Sequence, residues 1–299
     1  MNCEYTINKR QLRRSFERAA AGYDKAAMLQ REVCDRMLSR LDYIKCIPSA
    51  ILDAGSGTGY GSRKLATRYP VARILAVDLA LAMHFQACPT AASSWWRRML
   101  SARGSNTSYV CCDIEQLPLQ NSCVGMVWSN LTLQWCNDIG RTFAEVHRVL
   151  QTEGLFMFST LGPDTLRELR QAFISMDDYS HVNHFTDMHD IGDLLVYNGF
   201  AMPVMDMEYI TLTYDDVISV MRDLKAIGAH NVVQGRKRGL TGKIGWQKAL
   251  SHYEVLRREG KLPVTFELVY GHAWKLEPRK TVDDRKIIEF DPKSRIGRI

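Results

Sequence analysis

The amino-acid sequence predicts an α/β fold, a doubly wound and mostly parallel sheet with helices on both faces, and three observations predict it. Short, nearly continuous apolar runs alternate with helical segments up to about residue 160, the pattern of strands buried on both sides. The first run, "AILDAG", opens into the glycine loop "GSGTG" (55–59), at a strand end where such sheets bind ligands. The second run, "RILAVDL", carries an acidic residue, Asp78, at its end.

The elements follow in order. Between residues 9 and about 45, Leu12, Phe16, Ala19, Ala20 and Tyr23 keep one helical spacing and Met28, Val33, Met37, Leu38 and Leu41 another, so two helices precede the first strand. Strands are expected at "AILDAG", "RILAVDL", "SYVCCD", "VGMVWSNL" and "GLFMFST". Helical segments "SRKLATRY", a stretch through "WWRRML", and "IGRTFAEVHRVL" lie between them. Beyond Thr160 the rhythm changes. "PDTLRELRQAF" reads as a helix with Thr165 and Glu168 at capping-box spacing, and "DIGDLLVYNGF" as a helix ending near Gly199. The strand "MEYITLTY", helical patches at about 215–227 and 245–258, and the aromatic, β-branched strand "PVTFELVYGHAWKL" complete a seven-stranded count.

A single domain over 1–276 is expected. It comprises N-terminal helices (9–45), a ligand-binding core (49–160), substrate-selecting helices forming an inserted lid (about 162–260) and a closing strand (264–276). The polar tail 277–299 reads as loosely ordered.

At 299 residues and 46% hydrophobic, the chain can bury a full core. A net charge of +6 is mild for this length, and neither a nucleic-acid nor a membrane partner is expected from it. The densest basic stretches are "GRKRGLTGK" (235–243) and "WWRR" (95–98). No apolar run approaches the roughly 20 residues of a membrane helix, and the N-terminal stretch lacks the apolar segment of a secretory signal. All eight cysteines precede residue 137 without a CxxC pair, which favours a reducing compartment. A cytoplasmic location is the expectation.

The glycine loop does not fit the dinucleotide fingerprint: counted from Gly55 and Gly57, the third glycine of GxGxxG falls on Tyr60. Neither a GxxxxGK[ST] loop nor a GxSxG elbow fits. The loop lets backbone approach a ligand closely, and the helix after it offers unpaired N–H groups. Asp78, with Leu79 beside it, can accept two ribose hydroxyls on its two oxygens. Asp113 of "CCDIEQLP" can accept the exocyclic amine of adenine while Ile114 packs on the ring, and Asn130 with Leu131 ends the fourth strand at the same crevice. That is the order one adenosine-containing ligand requires.

These features resemble the class I S-adenosylmethionine-dependent methyltransferases, whose first motif is similar to "LDAGSGTG" (52–59). The resemblance implies a Rossmann-like methyltransferase sheet and S-adenosylmethionine as cofactor. It also implies that Asp53 helps hold the methionine amino group, with the backbone of Gly55, Gly57 and Gly59 in the loop around the cofactor. Up to about Trp274, "RRSFERAAAGYDKAAMLQREV", "LTLQW", "GPDTLRELRQAF", "FTDMHDIGDLL" and "LKAIGAHN" resemble the malonyl-[acyl-carrier protein] O-methyltransferases of biotin synthesis. That resemblance implies methylation of the free carboxylate of a malonyl thioester on an acidic carrier protein, and a closing role for Tyr23. An assembly factor of mitochondrial complex I shares part of the pattern but differs at "GPDTL". The stretch from Ala82 to Thr107 is longer than the pattern.

Methyl transfer to a carboxylate is a direct displacement that needs no general base, because the acceptor is ionised near neutral pH. A cation should orient it. Arg170 is the first candidate, at the border of the stripe Leu166, Leu169 and Phe173, and Lys225 the second. The histidines of "HVNHFTDMH" (His181, His184, His189) lack a metal-ligand spacing, so no metal is expected and they read as loop residues near a substrate entrance. The basic 235–243 stretch is the expected contact for the carrier. Competing readings keep the fold but change the acceptor to a small molecule or a protein arginine, or make the protein a non-catalytic assembly factor that binds the cofactor.

Overall fold

A computed structural model describes residues 6–88, 106–174, 181–229, 231–232 and 242–277. The chain enters through α1 (Lys9–Ala19), a single turn at α2 (Tyr23–Ala26) and α3 (Met28–Arg40). The Asn8 side chain caps α1 by accepting from the Gln11 amide at 3.1 Å. The alternating core follows as β1 (Ala50–Ala54), α4 (Tyr60–Arg68), β2 (Arg73–Asp78), α5 (Leu81–Ala87), β3 (Thr107–Cys111), β4 (Val124–Asn130), α6 (Ile139–Val149) and β5 (Leu150–Leu161). The later part holds α7 (Arg167–Ile174), α8 (Met188–Tyr197), β6 (Ala201–Tyr214), α9 (Val217–Ala226), α10 (Lys243–Glu254) and β7 (Leu262–Lys275).

The seven strands form one sheet in the order β3-β2-β1-β4-β5-β7-β6. β1 pairs in parallel with β2 on one side and β4 on the other, Leu52 facing both Leu75 and Val127. The order therefore reverses between β1 and β4, which opens a crevice beyond their carboxyl ends. β7 alone runs against its neighbours, pairing antiparallel with β5 and β6. β7 reaches this position after α9 and α10, which lie between the end of β6 at Tyr214 and the start of β7 at Leu262.

Alternation along the buried strands splits the core between the two faces. Ile51, Ile74, Met126 and Trp128 pack with Val33, Met37 and Leu65 on one side. Leu52, Val127 and Phe156 pack with Phe143, Val146 and Leu195 on the other. Phe143 meets Phe156 edge to face, with ring centroids 5.6 Å apart. No helix among the described residues is long and apolar enough to cross a membrane.

Two expectations are revised. The α7 region does not form a capping box. Leu166 is left-handed (φ 57) and the helix starts only at Arg167. The Thr165 hydroxyl instead bonds the β7 backbone, accepting from the Glu267 amide at 3.1 Å and donating to its carbonyl at 3.2 Å. The Glu168 carboxylate takes the amide and hydroxyl of Thr265. The spacing that promises a local cap thus ties α7 to a strand about a hundred residues later. The strand expected at 207–214 begins at Ala201, because β7 offers it a ladder over its whole length. The basic stretches 95–98 and, up to residue 241, 235–243 lie outside the described residues, as does the tail from 278.

Candidate active site

The crevice between β1 and β4 opens into a cavity of about 390 Å³. Its floor is the glycine loop. Gly55 and Ser56 donate their amides to the Val77 carbonyl at 2.8 and 2.9 Å, which pins the loop across the end of β2. Gly55 has φ +82, and a Cβ there would lie 1.9 Å from Thr132 Oγ1, so this position requires glycine.

Asp78 is fixed by the same loop. Its Oδ2 accepts the Gly57 amide at 2.9 Å and its Oδ1 the Ala80 amide at 2.8 Å. Each oxygen keeps a lone pair for a further donor. Burial raises its proton affinity, and the two backbone amides pull the other way. Asp53 is buried at the end of β1 and accepts the Ser62 hydroxyl at 2.5 Å. Burial pushes it up to about 7, opposed by the Ser62 bond and reinforced by the neighbouring Asp78 charge.

Asp53 faces a smaller niche beside the loop, shared with Tyr23, Gln30, Arg31, Ser56 and Trp128. Three buried polar atoms in that niche lack a hydrogen-bond partner: Gln30 Oε1, Ser56 Oγ and Trp128 Nε1. One is an acceptor only, one a donor only and one either. Buried polar groups are normally paired. This mixed set suits a zwitterion carrying both an ammonium and a carboxylate.

The residues that the sequence assigns to an adenine ring also converge. Leu79, Asp113 and Ile114 line the cavity, and Lys9 of α1 reaches Asp113, its Nζ 3.0 Å from both Oδ1 and Oδ2. Lys9 also pairs with Glu115. Asp113 Oδ1 further accepts the Glu115 amide at 3.1 Å. The carboxylate therefore already carries a cation. Asn130 lines the cavity, but its side chain is committed to the scaffold: Nδ2 donates to the Gln30 carbonyl and Oδ1 accepts the Ser159 hydroxyl, both at 2.9 Å. Tyr23 lies over Gly57, its Cε1 4.0 Å from where a Cβ would stand. Burial, with Asp78 and Asp24 nearby, pushes its phenol well above the usual range, so it stays protonated.

The other half of the cavity is apolar, walled by Leu166, Leu169 and Phe173 from the α7 region, Val182 and Phe185 from the following segment, and Met221 and Leu224 from α9. Lys225 lines this half and is exposed. Arg170 does not line it; its guanidinium closes the turn before α7, donating to the carbonyls of Pro163 at 2.8 Å and Thr165 at 3.3 Å. Gly59 is also outside, as the left-handed residue preceding α4, packed near Ala87. His181 lines the cavity. His184 is exposed, and His189 pairs with Asp187 at the start of α8. Cys112 and Cys136 border the cavity, but burial pushes their thiols up to about 11 and about 12, so neither supplies a thiolate.

With this geometry in place, residues 52–158 match a family model described as a methyltransferase domain. A malonyl-[acyl-carrier protein] O-methyltransferase from Nitrosospira multiformis is 65% identical over 288 residues, covering 94% of each chain. The chain belongs to the malonyl-[acyl-carrier protein] O-methyltransferase family. Another member, from Gallionella capsiferriformans, is 58% identical, covering 96% of this chain and 97% of its own. A phosphoethanolamine N-methyltransferase of Haemonchus contortus, solved with S-adenosyl-L-methionine, shares the fold. It has a TM-score of 0.51 and 17% identity over 87% of this chain and 57% of its own.

For this methyltransferase family member, sequence reasoning missed Lys9, Gln30, Arg31, Thr132 and the Trp135 that meets Phe16 edge to face at 5.5 Å. Lys9 and Asp113 are 104 residues apart, and nothing local signals such a pairing. Gln30 and Arg31 sit on a helix whose spacing reads simply as core. Thr132 left no local signal, because it stands 77 residues from Gly55 and a left-handed backbone at φ +82 already accounts for the glycine.

Proposed function

We propose that the protein transfers a methyl group from S-adenosylmethionine to the free carboxylate of a malonyl thioester carried on acyl-carrier protein, an early step of biotin synthesis. One observation carries the reading. A single cavity joins a half built on Gly55, Gly57 and Asp78 to a largely apolar half lined also by Lys225.

The residues present suit the cofactor. Asp78 would take the ribose hydroxyls, Ile114 and Leu79 the adenine faces, and the niche of Asp53, Gln30, Ser56 and Trp128 the methionine ammonium and carboxylate. When bound, the cofactor supplies a methyl group activated on a sulfonium. Everything else falls to this chain's own side chains.

Leu166, Leu169, Phe173, Phe185 and Leu224 exclude water from the acceptor half. Charge is lost as a cation and an anion react, so a dry wall favours the step. Lys225 orients the acceptor carboxylate. Arg170, spent on two carbonyls, holds the turn that places Leu166. Tyr23, held protonated, closes over the loop without acting as a base. No proton has to move, and alignment of this kind supplies up to about 7–11 kcal/mol in favourable cases.

Incubating the protein with methyl-labelled S-adenosylmethionine and malonyl-acyl-carrier protein tests the reading. A base-labile methyl ester on the carrier is expected. Labelling of a protein arginine or a free small molecule in place of the carrier would overturn it.

A further inference from the structure

The segment 181–185, between α7 and α8, forms part of the cavity wall through His181, Val182, Asn183 and Phe185. Val182 and Phe185 are buried in the same apolar cluster as Leu169 and Phe173. The His181 ring lies 4.8 Å from that of Phe173, which in turn meets Trp246 of α10 at 5.8 Å. Packing on α7 and α10 thus holds the segment in place.

Asn183 stands in this apolar wall only 9% exposed, and its Oδ1 is buried without a hydrogen-bond partner. Buried polar groups are normally paired, and an unpaired acceptor weakens the fold that buries it. Valine or leucine would fill the wall without that penalty. By contrast the Asn130 and Gln134 carboxamides, on the same cavity, are both spent on the scaffold. Gln134 Nε2 donates to the Leu131 carbonyl at 2.7 Å and its Oε1 accepts the Thr160 hydroxyl at 3.3 Å. Asn183 is also no part of the niche around Asp53, where Gln30 lies.

An unpartnered carboxamide oxygen calls for an N–H or O–H donor. The malonyl end of the acceptor offers none, since an ionised carboxylate and a thioester carbonyl only accept. The first donor along that molecule is the secondary amide N–H of the pantetheine-type arm, two methylenes beyond the thioester sulfur. The cofactor's donors have acceptors elsewhere in the reading above, its ammonium at the Asp53 niche and its ribose hydroxyls at Asp78.

We propose that Asn183 positions the acceptor by taking, on Oδ1, the nearest amide N–H of the pantetheine-type arm that carries the malonyl thioester. This rests on the acceptor reading above. Carrier protein and coenzyme A present the same arm, so the contact selects thioesters of this class and not the carrier as such. Asn183 fixes the arm behind the sulfur while Lys225 orients the carboxylate, and two anchors limit how the malonyl group can turn. The bond lies away from the reacting oxygens and serves substrate and transition state alike, so its loss falls on KM.

The test uses two small acceptors, malonyl-N-acetylcysteamine and its analogue in which an ester oxygen replaces the amide N–H. Wild-type protein is expected to use the amide about tenfold better in kcat/KM, because the analogue leaves Oδ1 unpaired. In Asn183→Ala, KM for the amide acceptor should rise about tenfold with kcat within threefold. The ester acceptor should change by less than twofold, and so should S-adenosylmethionine affinity by calorimetry. Malonyl-acyl-carrier protein and malonyl-coenzyme A should lose by the same factor in this variant. Equal use of amide and ester by the wild type overturns the proposal without any variant, whether or not Asn183→Ala folds. So does an equal loss on both small acceptors, which would make Asn183 a part of the wall only, or a loss of cofactor affinity, which would assign its oxygen to the cofactor. A loss confined to the carrier-linked acceptor overturns it as well, by tracing the effect to the carrier's surface. Wild-type protein that methylates none of these thioesters overturns the acceptor reading itself.

Discussion

Lys9 Nζ stands 3.0 Å from both carboxylate oxygens of Asp113, joining the first helix of the chain to the loop after β3. The pair is only partly shielded, with about a quarter of each side chain exposed, so its direct contribution to stability is small, up to about 1 kcal/mol. Its effect is on placement, because it holds α1 across the end of the cavity lined by Asp113 and Ile114. Lys9→Ala is expected to weaken S-adenosylmethionine binding about threefold to tenfold while lowering the melting midpoint by no more than a few degrees. Titration calorimetry beside a thermal melt checks this, and unchanged affinity would remove α1 from the cofactor site.

If Asp53 holds the cofactor's methionine end as proposed, cofactor binding is expected to depend on pH. Burial lifts it to about 7, and a bound ammonium or sulfonium favours its ionised form. Affinity should therefore improve as pH rises from 6 to 8, by up to roughly tenfold per unit at the steepest. For the protein without cofactor the sign is opposite. A folded-state pKa above the unfolded value means this group stabilises fully below about pH 4 and loses that contribution as pH climbs through about 7. Asp53→Asn should flatten the affinity profile. A profile equally steep in the variant would assign the titration to another group.

Gly55 and Thr132 exclude each other's side chains. Gly55→Ala places a methyl 1.9 Å from Thr132 Oγ1 on a backbone at φ +82. The overlap costs about 1–3 kcal/mol and the left-handed backbone about 1–2 more, so cofactor binding should be lost. Adding Thr132→Gly removes the overlap but leaves the backbone strain, so only part of the stability should return in a denaturant melt. Full recovery would show that the backbone conformation costs nothing.

Lys225 and Arg170 should separate by kinetics. Lys225→Ala is expected to raise the acceptor KM about tenfold to a hundredfold, from a charged hydrogen bond of about 1.5–3 kcal/mol, with cofactor affinity unchanged. Arg170→Ala leaves the carbonyls of Pro163 and Thr165 without their donors. It should lower the melting midpoint and weaken the acceptor only through the displaced α7 turn. A large KM effect in the arginine variant with no change in stability would reverse the two assignments.

The strands and their order of appearance were legible because burial on both faces forces unbroken apolar runs, as in "RILAVD" and "VGMVWSN". Gly55, Gly57 and Asp78 were legible for a related reason. A tight strand-to-helix turn needs glycine, and the Asp78 carboxylate that pins this loop through the Gly57 amide stands at the end of the next strand. Thr165 and Glu168 show where local reading fails: their spacing fits a cap equally well, and only the arrival of β7 gives Thr165 and Glu168 better partners. Arg170 fails in the same way. Its place on the helix is right for the border of the apolar stripe, yet the chain's own carbonyls reach it first.

By itself the amino-acid sequence determined the alternating α/β core, the glycine loop with Asp78 at the neighbouring strand end, and the family resemblance, since each depends on residues close together along the chain. Tertiary structure alone decided that Lys9 meets Asp113, that Thr132 backs Gly55, and that Lys225 rather than Arg170 lines the cavity. These contacts join residues from about 75 to more than 100 positions apart, or turn on which of several nearby acceptors a side chain reaches. Only packing resolves such competition, because hydrogen bonds and charges act through space and leave no periodic trace along the chain.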